Sequence, residues 1–248
     1  MIKNIPLLEK KIIDYLKTQL IVLKKDSVII NFDGTLMSVV NVKLIEKLQK
    51  PFQHKIIVCT FNQNKLYLYH LLKILNNDLK VQYEIKDLSN DYEMISPISC
   101  CQGNKDLEIA FRKRICDLLL YSIADNINGV VLSNLSYSQW CVNFPHQAYQ
   151  TLEQIHPLNR LFFSEVKQLA RYYNMANDVV EREPSHYLYK GQLDKEVLGF
   201  TYQQLEDHLR SGCKITSPQD IIIQNKLVGD NRNRFMGLSI SRPSVVLE

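Results

Sequence analysis

Two stretches of this 248-residue chain hold the residue types from which reactive sites are commonly built. The first is Asn31-Phe-Asp-Gly-Thr-Leu-Met-Ser38, which brings a carboxylate, a glycine and two hydroxyls to a turn directly after an apolar run. A turn of this kind can meet an anion, because the first amides of a following helix have no partner of their own. The second is Pro184-Ser-His-Tyr-Leu-Tyr-Lys-Gly-Gln-Leu-Asp-Lys-Glu-Val-Leu-Gly-Phe-Thr-Tyr202. It reads as a turn, a Gly-Gln-x-Asp loop and a helix entry. Beside these, Ser133 and Asn134 follow another apolar run, and Arg114 closes a short basic run expected on a partly solvated helix face. The six histidines are scattered, and none pairs at metal-ligand spacing. The six cysteines (59, 100, 101, 116, 141 and 213) lack Cys-x-x-Cys spacing, which predicts free thiols rather than zinc. Trp140 and Tyr149 read as packing or dimer-face residues.

Composition bounds what these residues can do. At 46% hydrophobic and 23% charged the chain is an ordinary globular sequence, long enough for one buried core. The net charge of +4 comes without a basic stripe and interleaved aromatics, so nucleic acid is not the expected partner. No apolar run has the length needed to span a bilayer, and the N-terminus lacks the basic-then-apolar order of a signal peptide; a cytoplasmic location with no membrane partner is expected. Glycine is scarce, 8 residues in 248. Loops that wrap phosphate closely need glycine for close backbone approach and positive φ, so the shortage argues against a well-formed nucleotide loop.

The elements that must position these residues alternate. Residues 7–24 have helical apolar spacing, Ser27–Asn31 is a short buried strand, and Val39–Leu48 returns to helical spacing. A second strand is expected at Lys55–Thr60, a helix at Leu66–Leu75 and a third strand at Lys80–Ile85. Residues 87–105 read as a polar loop, Leu107–Asp125 as a long helix, Gly129–Leu132 as a fourth strand and Ser164–Tyr173 as a helix. The tail after 215 offers only the apolar triplet Ile221–Ile223 before a polar, basic end. The alternation predicts an α/β fold: one domain over residues 1–248, a three-layer, doubly wound parallel sheet covered by helices. Ligands in such folds sit at the carboxyl ends of the strands, which places the turns after Ile30, Cys59 and Leu132 on the functional edge.

The 184–202 stretch closely resembles a signature of the ammonia-dependent NAD synthetases, Pro-Ser-Ala-Asp-Leu-x-x-Gly-Gln-x-Asp-Glu-x-x-Leu-Gly-x-x-Tyr. From Arg114 to Leu209 the chain lies on that family's pattern without a gap, and residues 31–38 fall where the family has Gly-Leu-Ser-Gly-Gly-x-Asp-Ser. The resemblance implies an ATP pyrophosphatase-like (adenine nucleotide alpha hydrolase) fold, a homodimer, and a reaction with ATP and Mg²⁺. In that reaction the carboxylate of deamido-NAD is adenylated and ammonia then displaces AMP. By position it assigns Asn31, Asp33, Gly34, Thr35, Ser38, Asn134 and Ser185 to ATP, and Arg114, Asp194 and Arg232 to the substrate.

The chain departs from the family where chemistry is needed. Asp33 puts a negative charge beside the phosphate position, and Met37 and Gln139 stand where carboxylates would hold Mg²⁺, which prefers charged oxygen ligands. Phe163 replaces a phosphate-contacting lysine, and Cys116 an arginine. Tyr149-Gln150 replaces a Gly-Asp pair, Gln147 and Gln154 replace substrate contacts, and Tyr187 and Lys195 replace acidic residues. Residues expected to pack (Leu158, Leu161, Val166, Leu169, Leu198, Tyr202) match. The expectation is a retained fold with an impaired or inactive site; an active ligase of the same class with an altered site or substrate is the alternative. Asn31-Phe-Asp-Gly-Thr-Leu also resembles the haloacid-dehalogenase phosphatase pattern Asp-x-Asp-Gly-Thr-Leu, though Asn31 cannot serve as its nucleophile. Asp194 has a further reading as a helix cap.

Overall fold

The computed structural model of the chain describes residues 2–61, 65–99, 103, 105–144, 155–185 and 193–232. Among these the order is α1 (Ile5–Leu23), β1 (Ser27–Asn31), α2 (Leu36–Ile45), β2 (Gln53–Thr60), α3 (Lys65–Lys73), β3 (Glu84–Asp87), α4 (Ser89–Ile95), α5 (Lys105–Asn126) and β4 (Gly129–Val131). It continues with α6 (Tyr137–Val142), α7 (Phe163–Tyr172), α8 (Asn177–Val180), α9 (Asp194–Leu198), α10 (Tyr202–Arg210) and α11 (Pro218–Arg232).

The strands form one parallel sheet in the order β3-β2-β1-β4. Ser27 pairs with Gln53 on one side and Gly129 on the other, so the carboxyl ends of β1 and β4 finish side by side. Strands covered on both faces need continuous apolar runs, and Val28-Ile29-Ile30 supplies one. Successive side chains point to opposite faces. Ile29, Ile57 and Val131 turn toward α5, where Leu120 and Ala124 complete a cluster with them. Each fully buried aliphatic chain of this kind stabilises the fold by ~1.5–3 kcal/mol. Helix α2 is apolar almost all round and correspondingly buried, which fixes the turn that precedes it.

Three expectations are corrected. The third strand starts at Glu84 rather than Lys80: after α3 the chain makes a wide helical turn, Ile74–Leu79, that Lys80 ends in the left-handed region at φ 57°. Residues 87–105 are not all loop, since α4 forms within them. Asp87 Oδ1 accepts from the Ser89 N–H (3.0 Å) and hydroxyl (2.5 Å), and Leu88 and Tyr92, four residues apart, pack on α5. The tail after 215 is also helical. Ser217 and Asp220 exchange hydrogen bonds at the start of α11, and His208 Nδ1 lies 3.0 Å from Asp220 Oδ1.

The chain folds as two compact units. One comprises Glu9–Asn134 with Ala148–Pro157 and contains the sheet; the other comprises Met1–Leu8, Leu135–Gln147 and Leu158–Glu248.

Candidate functional site

In the sheet-bearing unit, β1 leads through Phe32 and Asp33 into α2 at Thr35, the N-cap. Thr35 Oγ1 accepts from the Ser38 N–H at 3.3 Å, and the Ser38 hydroxyl donates to Thr35 O at 2.9 Å. Asp33 then turns back: its Oδ1 accepts from the Thr35 N–H (3.0 Å) and the Thr35 hydroxyl (2.7 Å). A carboxylate therefore already occupies donors that a bound anion would use at this helix start. Met37 is 2% exposed, with its thioether in the core.

Gly34 permits the turn. Its φ is +68°, and a Cβ there would lie 2.3 Å from Leu71 Cδ2. Gly34→Ala is expected to lower stability by about 2–3 kcal/mol, combining left-handed strain with the steric contact. Urea denaturation checks this, and an unchanged midpoint would reject it.

Asn41, on α2, is a residue that sequence reasoning passed over. Its Nδ2 donates to Ser133 O (2.9 Å) and Asn134 Oδ1 (3.0 Å), while Asn134 Nδ2 donates to Asn31 O (2.7 Å). These bonds tie α2 to the ends of β1 and β4. Asn31 Oδ1, Asn41 Oδ1 and Ser133 Oγ are buried without a hydrogen-bond partner. The first two are pure acceptors, suited to hydroxyl or amine donors rather than to phosphate. Of the expected positions, Asn31, Asp33, Gly34, Thr35, Ser38 and Asn134 thus do converge.

In the second unit, Gln139 is not placed as a metal ligand would be. It is fully buried and closes a capping box: Ser136 Oγ accepts from the Gln139 N–H, and Gln139 Oε1 accepts from the Ser136 N–H at 2.9 Å. The Ser-x-x-Gln spacing was the signal in the sequence. Gln139 also hydrogen-bonds the Tyr202 hydroxyl, which donates to Asp194 Oδ2 at 2.9 Å. Burial, then the Asp194 charge, pushes the Tyr202 phenol well above its usual range. The Asp194 N–H in turn donates to Pro184 O at 2.9 Å, so Asp194 ties both ends of the 184–202 stretch together. Asp194 does not cap its helix: the N-cap is Leu193, and Asp194 follows it inside the first turn. Phe163 is 6% exposed and stacks on Tyr202, with ring centroids 4.8 Å apart.

A second network, invisible at the sequence level, surrounds Glu206. It accepts from the Ser138 hydroxyl (2.8 Å), the Ser164 N–H (3.1 Å) and the Ser164 hydroxyl. Burial raises its carboxyl above the usual range, against the lowering effect of these donors. A raised folded pKa means that its contribution to stability is full below the unfolded value and is lost as pH rises through the folded one. As pH rises above the ordinary glutamate value of about 4.3, the stability of Glu206→Gln should therefore gain on the native chain. A pH-independent difference in denaturation midpoint would contradict this.

Arg114 is exposed on α5, and Ser185 is partly buried after Pro184. Arg112, two residues before Arg114, is half-buried, with its guanidinium 4.6 Å from the Tyr92 ring centroid. Arg232 ends α11, but its side chain lies outside the described residues, as do Gln147, Tyr149, Gln150, Gln154 and Tyr187. Cys59, Cys116, Cys141 and Cys213 are free thiols. No cluster of potential metal ligands occurs among the described residues.

A parallel sheet flanked by helices, with a capped polar turn at its carboxyl edge, defines an α/β protein of the ATP pyrophosphatase-like kind. The NAD synthase family model matches residues 8–238, and the chain belongs to that family. An NH3-dependent NAD+ synthetase from Methanocaldococcus jannaschii is 25% identical over 215 residues, covering 85% of this chain and 83% of the relative. The one from Mycoplasma genitalium is 22% identical over 238 residues (94% and 93%), and that from Syntrophomonas wolfei is 29% identical over 163 (63% and 65%). Among solved structures, an NMN synthetase from Francisella tularensis superposes with a TM-score of 0.83 at 19% identity, over 97% of this chain and 99% of that one. The NH3-dependent NAD synthetase from Campylobacter jejuni superposes at 0.75 and 17% identity (96% and 100%). At such identities these likenesses establish the fold. The phosphatase reading gains no support from them.

Proposed function

We propose that this chain is a catalytically impaired relative of the NAD synthetases, keeping the family frame as one family domain while having lost the means to hold Mg²⁺ and phosphate. The observation that carries the reading is Asp33, whose carboxylate binds the Thr35 N–H and hydroxyl at the start of α2. Two further features support it. Met37 presents a buried thioether where an oxygen ligand is needed, and Gln139 is engaged in a capping box. The residues present do not fit Mg²⁺. For a nucleotide, the polar edge formed by Asn31, Thr35, Ser38, Asn41 and Asn134 suits a nucleoside better than a triphosphate. The family resemblance assigns Ser185 to the nucleotide, and Arg114, Asp194 and Arg232 to the substrate, by sequence position alone. A homodimer in the cytoplasm accords with the family resemblance, and no helix among the described residues is long and apolar enough to cross a membrane.

The second reading is an active ligase with a changed substrate. The likeness to an NMN synthetase makes the pyridine mononucleotide the substrate to assay beside the dinucleotide. The test measures AMP together with amide product, using ATP, Mg²⁺, ammonia and each carboxylate substrate in turn. Stoichiometric AMP and amide well above background with either substrate would overturn the impaired reading.

A further inference from the structure

Cys59 lies one residue from the carboxyl end of β2, half-buried, and Cys116 is buried on α5 two residues after Arg114. Fifty-seven positions separate them in sequence, since 116 − 59 = 57. The fold brings them into one apolar cluster with Leu88 and Ile115, bordered by Phe61, Tyr92, Phe111 and Leu119. Cys59 packs against the cluster that contains Cys116, close enough for its thiol to act on that of Cys116. The charged groups acting on Cys116 are Lys113 and Asp117, which form their own ion pair at 2.6 Å.

We propose that Cys59 and Cys116 are an oxidisable pair that closes to an intrachain disulfide under a two-electron oxidant of the peroxide class. The half-buried Cys59 meets the oxidant first. Its thiolate attacks one peroxide oxygen, the O–O bond breaks, and a sulfenic acid forms with release of water. Cys116 then gives up its proton and attacks the Cys59 sulfur. The S–S bond forms and the sulfenic oxygen leaves as a second water. Two thiols are oxidised and one peroxide is reduced. The adjacent Cys59 thiol and burial push the Cys116 thiol up, which disfavours its direct oxidation and leaves Cys59 to react first. Closure links the ligand-side end of β2 to the helix that carries Arg114. This pairing does not depend on the proposed loss of catalysis.

Hydrogen peroxide is added to the native chain and the protein is digested without reduction for mass spectrometry. The expected result is a peptide pair joined through residues 59 and 116, lighter by two hydrogens and separated by dithiothreitol. Cys116→Ser should instead leave Cys59 as a sulfenic or sulfinic acid, and Cys59→Ser should leave Cys116 unmodified at the same dose. Cys116→Ala gives the same test should the serine variant fold poorly. Oxidation of Cys59 to sulfinic acid in the native chain, or a disulfide from either residue to another cysteine, would overturn the proposal.

Discussion

Supplied with ATP, Mg²⁺, ammonia and deamido-NAD, the chain is expected to release AMP at least about 10³-fold more slowly than a family member with its charged ligands intact, because one lost charge-stabilising contact alone costs ~10²–10³ in rate. Here several are lost. Magnesium takes oxygen ligands in a near-ideal octahedron, and the Met37 thioether, 2% exposed among apolar neighbours, supplies none. Gln139 has its oxygen bound to the Ser136 N–H and hydroxyl, so it would have to leave its capping box to reach an ion. The Asp33 carboxylate holds the Thr35 donors and repels any phosphate brought near them. Met37→Asp is accordingly expected to leave turnover at background: it supplies one oxygen ligand but leaves Asp33 in place. AMP release rising to within about tenfold of an intact enzyme, in either protein, would mean that charge is supplied elsewhere in the chain.

The second large effect falls on stability. Asn41→Leu is expected to lower the free energy of unfolding by about 2–4 kcal/mol, since a lost side-chain donor leaves buried acceptors unsatisfied rather than merely removing bonds. Asn41 is fully buried, and its Nδ2 reaches both Ser133 O and Asn134 Oδ1. Leucine matches its size but offers no donor. The loss also frees Asn134, whose own bond to Asn31 O holds the end of β1. Chemical denaturation measures the change, and a loss under about 0.5 kcal/mol, the range of an ordinary surface substitution, would show that Asn41 is not the staple described.

Much of the frame was legible because its causes are local. Ser27–Asn31 read as a strand and is one to the residue, since a short apolar β-branched run bounded by polar residues has few other ways to be buried. The long helix over Leu107–Asp125 proved one or two residues longer at each end, as α5. Two of the three errors arose where a polar side chain organises its own backbone. Asp87 starts α4 in a stretch too polar to show a period, and Ser217 with Asp220 starts α11 in a tail that held one apolar triplet. Both signals were present in the residue types but need bond geometry to distinguish them from turns.

The residue types at the site were fixed by the sequence alone: Asp33, Met37, Gln139 and Phe163 cannot do what serine, aspartate, glutamate and lysine would do in their places, and that follows from side-chain chemistry without coordinates. What those residues do instead was decided only by the tertiary structure. Asp33 turns onto Thr35 because Gly34 reaches a positive φ, and Gln139 serves a helix start and the Tyr202 hydroxyl. Phe163 finds Tyr202, thirty-nine positions on (202 − 163 = 39), and Asn41 finds Ser133, 92 residues away. Each of the last two is a contact across the fold, made when elements distant in sequence are packed together. Burial then gives each its force, because a polar atom removed from water must find its partner inside the protein.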